Sequence, residues 1–357
     1  MEKYYFVASK GLLAVCTNDR RFKWSYGTDM PYATQKEYKD CIIRIQLDIV
    51  DNISPSIDGE TKWSDLSEKY HYFSGITGKD ILRYRRDFLF GSELQIEIKG
   101  LLTDEPHLIV NRHYYKYITH KFMNLHSIGY ILEDIAGLIM LRKGFAPVYC
   151  SSFKYGSDAV VIFAAPNTGK TLSTLVCCME HNARFIAEDL ALTDGKMIYS
   201  VPWTNSFRYY SKVGQSQLSK IFNYVSRIFP SLDLIFFRKK RNINNKLFSK
   251  INFIESTRVT HIEILEKCNG GLFRSNIKEA SHKVMNFQKY RFNCQSSPLI
   301  IAYNYFNPDL TIDNIYENEK NIICQLIKNA QDHFIVKENN AASYSNLILK
   351  SLKKEKI

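Results

Sequence analysis

The chain has 357 residues, a formal net charge of +12, 45% hydrophobic and 24% charged residues. That is ordinary composition for a soluble globular protein, with length for two or three domains. No apolar run reaches the roughly 18 residues of a membrane-spanning helix. The start, Met1-Glu2-Lys3-Tyr4-Tyr5, lacks the apolar stretch of a signal peptide. The eight cysteines form no C-x-x-C pair and suggest no disulfide framework, so a reduced, cytoplasmic protein is expected. The basic clusters Arg238-Lys239-Lys240-Arg241 and Lys353-Lys354-Glu355-Lys356 read as a solvated loop and a tail rather than a nucleic-acid surface. A basic field also suits a protein whose ligands are anions.

The first part of the chain reads as β-rich. Tyr4-Tyr5-Phe6-Val7 and Leu12-Leu13-Ala14-Val15 are strand candidates, and Ile42 to Val50 alternates apolar and polar residues. Further strands are expected at Leu94 to Gly100, at Leu108-Ile109-Val110 and at Tyr114-Tyr115-Lys116-Tyr117. The segment Gly75 to Asp80 contains Gly78-Lys79 but follows no apolar strand, and reads as a turn or a helix start. Residues 120–143 carry apolar side chains at helical spacing, with Arg142-Lys143 in the last turn and Gly144 as a stop. Pro147 to Cys150 is extended, and Ser157-Asp158 mark a turn.

The segment Ala159 to Thr171, A-V-V-I-F-A-A-P-N-T-G-K-T, follows. Val160 to Phe163 read as a buried strand, Ala164 to Gly169 as a tight loop, and the residues after Lys170 as a helix. Strand, loop and helix in that order are what a phosphate-binding loop requires. Its amides and the positive end of the helix would face an anion. The loop Ala165-Pro166-Asn167-Thr168-Gly169-Lys170-Thr171-Leu172 would bind nucleotide. Lys170 would reach the β- and γ-phosphates, and Thr171 would offer its hydroxyl to Mg²⁺. Ala164 stands where the motif has its first glycine, and Pro166 removes one amide. Asn167 accepts left-handed backbone better than most residues.

The helix after the loop is expected to turn Leu172, Leu175, Val176 and Met179 inward and to end near His181-Asn182. Phe185-Ile186-Ala187 read as a strand with Glu188-Asp189 at its end. A carboxylate beside a phosphate loop can hold a divalent metal, and a second can take the proton of an attacking hydroxyl. A hairpin turns at Asp194-Gly195. Trp203 to Tyr210 read as a loop in which Arg208 is a candidate for an anionic acceptor. Leu218, Phe222, Val225 and Phe229 suggest a helix, and residues 238–246 a basic loop. Strands are expected at His261 to Leu265 and at Leu299 to Tyr303, a helix at about 316–330, and a helix and tail after residue 336.

The run from Pro147 to Trp203 resembles the HPr kinase/phosphorylase-like P-loop kinases, which are related to phosphoenolpyruvate carboxykinase. The pieces that carry the resemblance are the helix Tyr130 to Gly144, the strand pair Val148 to Phe163, the loop Ala164 to Thr171, Glu188-Asp189, Asp194-Gly195 and Pro202. It implies an α/β (α+β) chain. A β-rich region at 1–118 would precede a P-loop core with a mixed sheet at 119–335, and a helix and tail would occupy 336–357. It implies ATP or GTP and Mg²⁺ as ligands, with Lys170, Glu188 and Asp189 catalytic. Thr171 and Asp189 would be at the metal and Glu188 at the proton, although the two acids could exchange roles. The acceptor would be a hydroxyl of a peptide, small protein or small metabolite, oligomerisation stays open, and nucleic acid is disfavoured.

Three departures stand beside the resemblance. Ala164 replaces a glycine. Glu188 replaces an aspartate, which moves its carboxylate by about an ångström. Tyr149-Cys150-Ser151 occupy the region where the family often has a histidine. The competing reading is a nucleotide-binding module without catalysis; a third is an NTPase linked to nucleic acid through the 238–246 loop.

Overall fold

A computed structural model of the chain describes residues 2–24, 30–54, 63–75, 80–88, 91–119, 125–201, 251–290, 294–308 and 310–353. The readings for 76–79, 120–124, the Arg208 loop, the helix at 218–229 and the basic 238–246 segment fall outside those residues. The described chain is a mixed α/β structure built on three sheets. No helix among these residues is long and apolar enough to cross a membrane.

The first sheet has nine strands in the order β3-β1-β2-β4-β9-β8-β7-β6-β5. They are β1 (Tyr4–Ser9), β2 (Leu13–Thr17), β3 (Tyr32–Ala33), β4 (Ile43–Val50), β5 (Ser64–Ser67), β6 (Tyr70–Phe73), β7 (Ile81–Asp87), β8 (Glu93–Lys99) and β9 (His107–Asn111). Pairing is antiparallel except that β4 runs parallel to both β2 and β9. In β4 the alternation is followed residue by residue, with Ile43, Ile45, Leu47 and Ile49 buried and the residues between them half-exposed. A short helix, α1 (Gln35–Lys39), opens on a reciprocal cap between Thr34 and Glu37.

Tyr114 to Tyr117 are not a strand. They lie in α2 (Arg112–Tyr117), which Asn111 caps by accepting the Tyr114 N–H. An aromatic run favours strands only where its side chains can alternate between two environments. Here the ring of Tyr114 is buried, and the Tyr115 hydroxyl donates to Asp19 at 2.7 Å.

The long apolar helix α3 (Ile128–Arg142) begins later than its periodicity suggests. Ser127 has extended backbone, with φ −61° and ψ 159°, and marks the helix start. Ile131, Leu132, Ile135, Leu138 and Ile139 are all buried in a core that reaches from the nine-stranded sheet into the rest of the molecule.

Two sheets follow. A four-stranded antiparallel sheet has the order β10-β14-β15-β16, from β10 (Ala146–Val148), β14 (Ala191–Thr193), β15 (Met197–Ser200) and β16 (Ser256–Arg258). The Asp194-Gly195 turn joins β14 to β15, and Gly195 sits at φ +87°. A six-stranded sheet has the order β13-β11-β12-β17-β19-β18. Its strands are β11 (Ser151–Tyr155), β12 (Asp158–Phe163), β13 (Arg184–Ala187), β17 (His261–Glu266), β18 (Gly271–Arg274) and β19 (Asp332–Lys337). The central strands β12, β17 and β19 are parallel.

Both faces of β12 are covered, so its sequence shows a continuous apolar run rather than alternation. Val161 and Phe163 join the large core, and Val160 and Ile162 a second core beneath two helices. Burial of such side chains is worth about 1.5–3 kcal/mol each. The helices of the second core are α4 (Lys170–Glu180) and α8 (Tyr344–Leu352). The other α-helices among the described residues are α5 (Ile277–Gln288), α6 (Pro298–Phe306) and α7 (Ile312–Asn329).

Leu299 to Tyr303 therefore belong to a helix, not a strand. Pro298 occupies its first turn, where a missing N–H has no cost. Leu299, Ile300, Ala302 and Tyr303 are buried and Ile301 is exposed, which is helical spacing compressed into a short apolar run.

The inward face of α4 also differs from expectation. Leu175 is buried, but Leu172 and Val176 are half-buried and Met179 is 48% exposed. Ser173, Thr174, Cys177 and Cys178 are buried instead. Small residues are needed there because α4 packs closely against β11 on one side and α8 on the other.

Candidate phosphate-binding site

Strand register places the site. Ser151 of β11 pairs with Ile162 of β12, and Ser152 pairs with both Val161 and Ala187 of β13. The ends of β12 and β13 and the beginning of β11 therefore meet at one edge of the six-stranded sheet. The loop Ala164 to Gly169, the pair Glu188-Asp189 and the segment Tyr149-Cys150 all leave the sheet there. In open α/β sheets this carboxyl edge of the parallel strands is where ligands bind.

The loop's backbone is unusual at two positions. Asn167 has φ +62° and Gly169 φ +128°. Asn tolerates the first, and only glycine adopts the second without strain. A Cβ on Gly169 would also come within 3.0 Å of the Ala341 Cβ and 3.5 Å of the Tyr344 ring. Ala164, the substituted glycine of the motif, is not among the residues with positive φ, and its methyl is buried in the second core. Alanine is thus compatible with the backbone at that position.

The first helical hydrogen bond of α4 runs from the Ser173 N–H to the Gly169 carbonyl at 2.9 Å. The amides of Lys170, Thr171 and Leu172 consequently have no acceptor within the helix. They constitute its positive end. Thr168 braces the loop by donating its hydroxyl to the Ala165 carbonyl at 2.9 Å. Pro166 and Asn167 lie exposed at the tip.

Lys170 is 5% exposed. Its Nζ donates to the Ala164 carbonyl at 3.2 Å and lies 3.9 Å from the centroid of the Tyr149 ring. Burial lowers its pKa from 10.5 to about 8, against the opposing fields of Asp189, Cys150 and Glu188. A lysine carrying so little water is suited to meeting an anion, because most of its dehydration cost has been met in folding. Burial pushes the neighbouring Cys150 thiol up to about 12, so it is a neutral group and not a thiolate nucleophile.

The carboxylate pair is built on a strained turn. Glu188 is 1% exposed and Asp189 half-buried. Asp189 has φ +60°, and the Leu190 N–H donates across it to the Glu188 carbonyl at 2.7 Å. A non-glycine residue held in a three-residue turn of this hand stores strain, which is concentrated at functional positions. The turn separates the fates of the two side chains: Glu188 goes inward and Asp189 stays accessible.

Among the described residues no group of three or more His, Cys, Asp or Glu side chains could enclose a metal. Thr171, half-buried at the start of α4, and Asp189 are oxygen donors that keep solvent access. Their donor type fits Mg²⁺, which takes one or two protein oxygens and completes its shell with phosphate and water.

Of the sequence-derived site residues, the structure brings Lys170, Glu188 and Asp189 within one electrostatic cluster and holds the loop Ala165 to Leu172 beside it. Arg208 lies outside the described residues. Tyr149 belongs to the segment Tyr149-Cys150-Ser151 that lacks the family's histidine, and its ring over Lys170 depends on the β10–β11 connection, which no local pattern shows. No protein-family model matches the chain, and no curated protein matches it.

Proposed function

We propose that the protein is a nucleotide-dependent kinase of the HPr kinase-like type, transferring the γ-phosphoryl group of ATP or GTP to a hydroxyl of a peptide, small protein or small metabolite. The observation that carries this reading is the buried Lys170 at the start of α4, sharing one sheet edge with Glu188 and Asp189. Phosphoryl transfer needs little covalent help from the protein, and its demands are positioning and charge. The amides of Lys170, Thr171 and Leu172 and the Lys170 ammonium hold the phosphate oxygens. Bound Mg²⁺, with Thr171 and Asp189 as protein donors, would supply charge neutralisation at the phosphates. Glu188 accepts the proton of the attacking hydroxyl. Asp189 and Lys170 keep the site polar and fix its charge.

A nucleotide-binding role without transfer is the second reading, favoured by Tyr149-Cys150-Ser151 occupying the region where the resemblance would have histidine. Transfer of labelled phosphate from γ-labelled ATP and GTP to serine-containing peptides and free serine separates the two. The kinase reading predicts incorporation that Glu188→Gln lowers by at least about 100-fold while nucleotide still binds. Binding with no incorporation into any acceptor would leave the second reading.

A further inference from the structure

The contact between Tyr149 and Lys170 has no place in the chemistry above. Tyr149 lies in the two-residue connection between β10 and β11, directly before the buried Cys150. Its backbone N–H donates to Oε1 of Gln288 at 2.8 Å, and Gln288, the last residue of α5, is 6% exposed. The Tyr149 main chain is thus held from both ends by strands and from the side by a buried amide. Its ring, half-buried, lies 3.9 Å from the Lys170 Nζ, well inside the distance at which an aromatic face attracts an ammonium. The ammonium also donates to the Ala164 carbonyl, at the mouth of the loop, and lies in the fields of Asp189 and Glu188. At Gly169 the loop runs close to Ala341 and Tyr344, since a Cβ there would come within 3.0 Å of the Ala341 Cβ.

These contacts compete with phosphate. An ammonium has three donors and one compact charge. When it serves a phosphate oxygen at the mouth of the loop, it gives up some of the ring and carbonyl contacts that compensate its burial in the free protein.

We propose that Tyr149 is a positioning residue that clamps Lys170 in the ligand-free loop, and that nucleotide phosphates must draw the ammonium from beneath its ring. The proposal rests on the phosphate-loop reading and deepens it. Beside the fields of Asp189 and Glu188, the clamp adds compensation for a nearly dry cation when no phosphate is bound, and it sets a threshold that weak anions do not overcome. Only a ligand offering several phosphate oxygens at once, a nucleoside di- or triphosphate, replaces both contacts together.

The test is association of a fluorescent N-methylanthraniloyl ATP with Mg²⁺, followed by stopped flow, on wild type, Tyr149→Phe, Tyr149→Ala, Tyr149→Leu and Lys170→Ala. Tyr149→Phe keeps the π face and should bind within about twofold of wild type. Tyr149→Ala and Tyr149→Leu remove that face and should bind about tenfold more tightly, mainly through faster association. Leucine retains apolar bulk, so it answers for the alanine variant if that one folds poorly. Equal or weaker binding by both Tyr149→Ala and Tyr149→Leu, with binding lost in Lys170→Ala, would overturn the clamp alone. Binding that survives Lys170→Ala would overturn the phosphate-loop reading on which it rests.

Discussion

The buried ammonium of Lys170 makes a prediction about stability that is independent of any ligand. In the unfolded chain Lys170 titrates near 10.5, and in the folded protein burial brings it to about 8. Between those values the unfolded chain holds a proton that the folded chain has released. Stability on this account therefore rises with pH from about 8 and levels off above about 10.5. At about 1.36 kcal/mol per pKa unit, the full window is worth about 3 kcal/mol. Other groups oppose it. Burial raises the thiols of Cys16, Cys41, Cys150, Cys177 and Cys178, so above pH 9 the unfolded chain loses protons that the folded protein keeps. That stability is lost as pH rises through 9 and masks the lysine in a single titration. The comparison that isolates it is wild type against Lys170→Met, which keeps a chain of similar length and removes the charge. Urea unfolding of both proteins from pH 7 to pH 10 should show the methionine variant gaining on wild type at pH 7. The difference should shrink by about 2–3 kcal/mol by pH 10. A difference that stays flat would show that Lys170 is hydrated. A difference that widens with pH would show that Glu188 and Asp189 outweigh burial.

The same lysine predicts proton uptake on binding. Phosphate favours the charged form, so nucleotide affinity should fall by about tenfold per pH unit above about 8, and calorimetry at pH 8.5 in buffers of different ionisation heat should detect uptake that vanishes at pH 6.5. Gly169→Ala forces a Cβ onto φ +128° and to within 3.0 Å of Ala341, and should cost about 1–3 kcal/mol in urea unfolding together with nucleotide binding. Asp189→Gly relieves φ +60° and should keep or raise thermal stability while abolishing transfer, a combination that an ordinary surface aspartate would not give. In the nine-stranded sheet, Arg83 donates from Nε to the buried Glu97 carboxylate at 2.9 Å, with Lys99 at 3.1 Å. Arg83→Ala should cost roughly 3 kcal/mol by denaturation and leave nucleotide binding unchanged.

The strand, loop and helix from Asp158 to Glu180 were legible in the sequence because each part is specified locally. The apolar run, the Gly169-Lys170-Thr171 triplet and the helical spacing lie within two dozen residues. Glu188 and Asp189 were legible for the same reason, as acids at the end of the next strand. What was not legible depends on distant chain. The parallel neighbour of β12 is β17, which begins at His261, and the next is β19, which begins at Asp332. The run Leu299 to Tyr303 is equally apolar as strand or helix, and only Pro298 and the exposure of Ile301 separate the two. Tyr114 to Tyr117 looked like a strand because their rings favour sheets, and the Asn111 cap won locally. The buried face of α4 departs from its apolar periodicity because close packing selected Ser173, Thr174 and the two cysteines over larger side chains. Tyr149 was visible only as a substitution, since its partner Lys170 is brought to it by the β11–β12 hairpin.

Calorimetric titration of ATP and GTP, with and without Mg²⁺, into wild type and Lys170→Ala decides whether the loop before α4 takes nucleotide phosphate through Lys170. Saturable binding by wild type, lost in Lys170→Ala, is expected. Equal binding by both proteins would refute that role, as would the absence of binding by wild type and the Tyr149 variants alike, and the strand, loop and helix would then stand as scaffold.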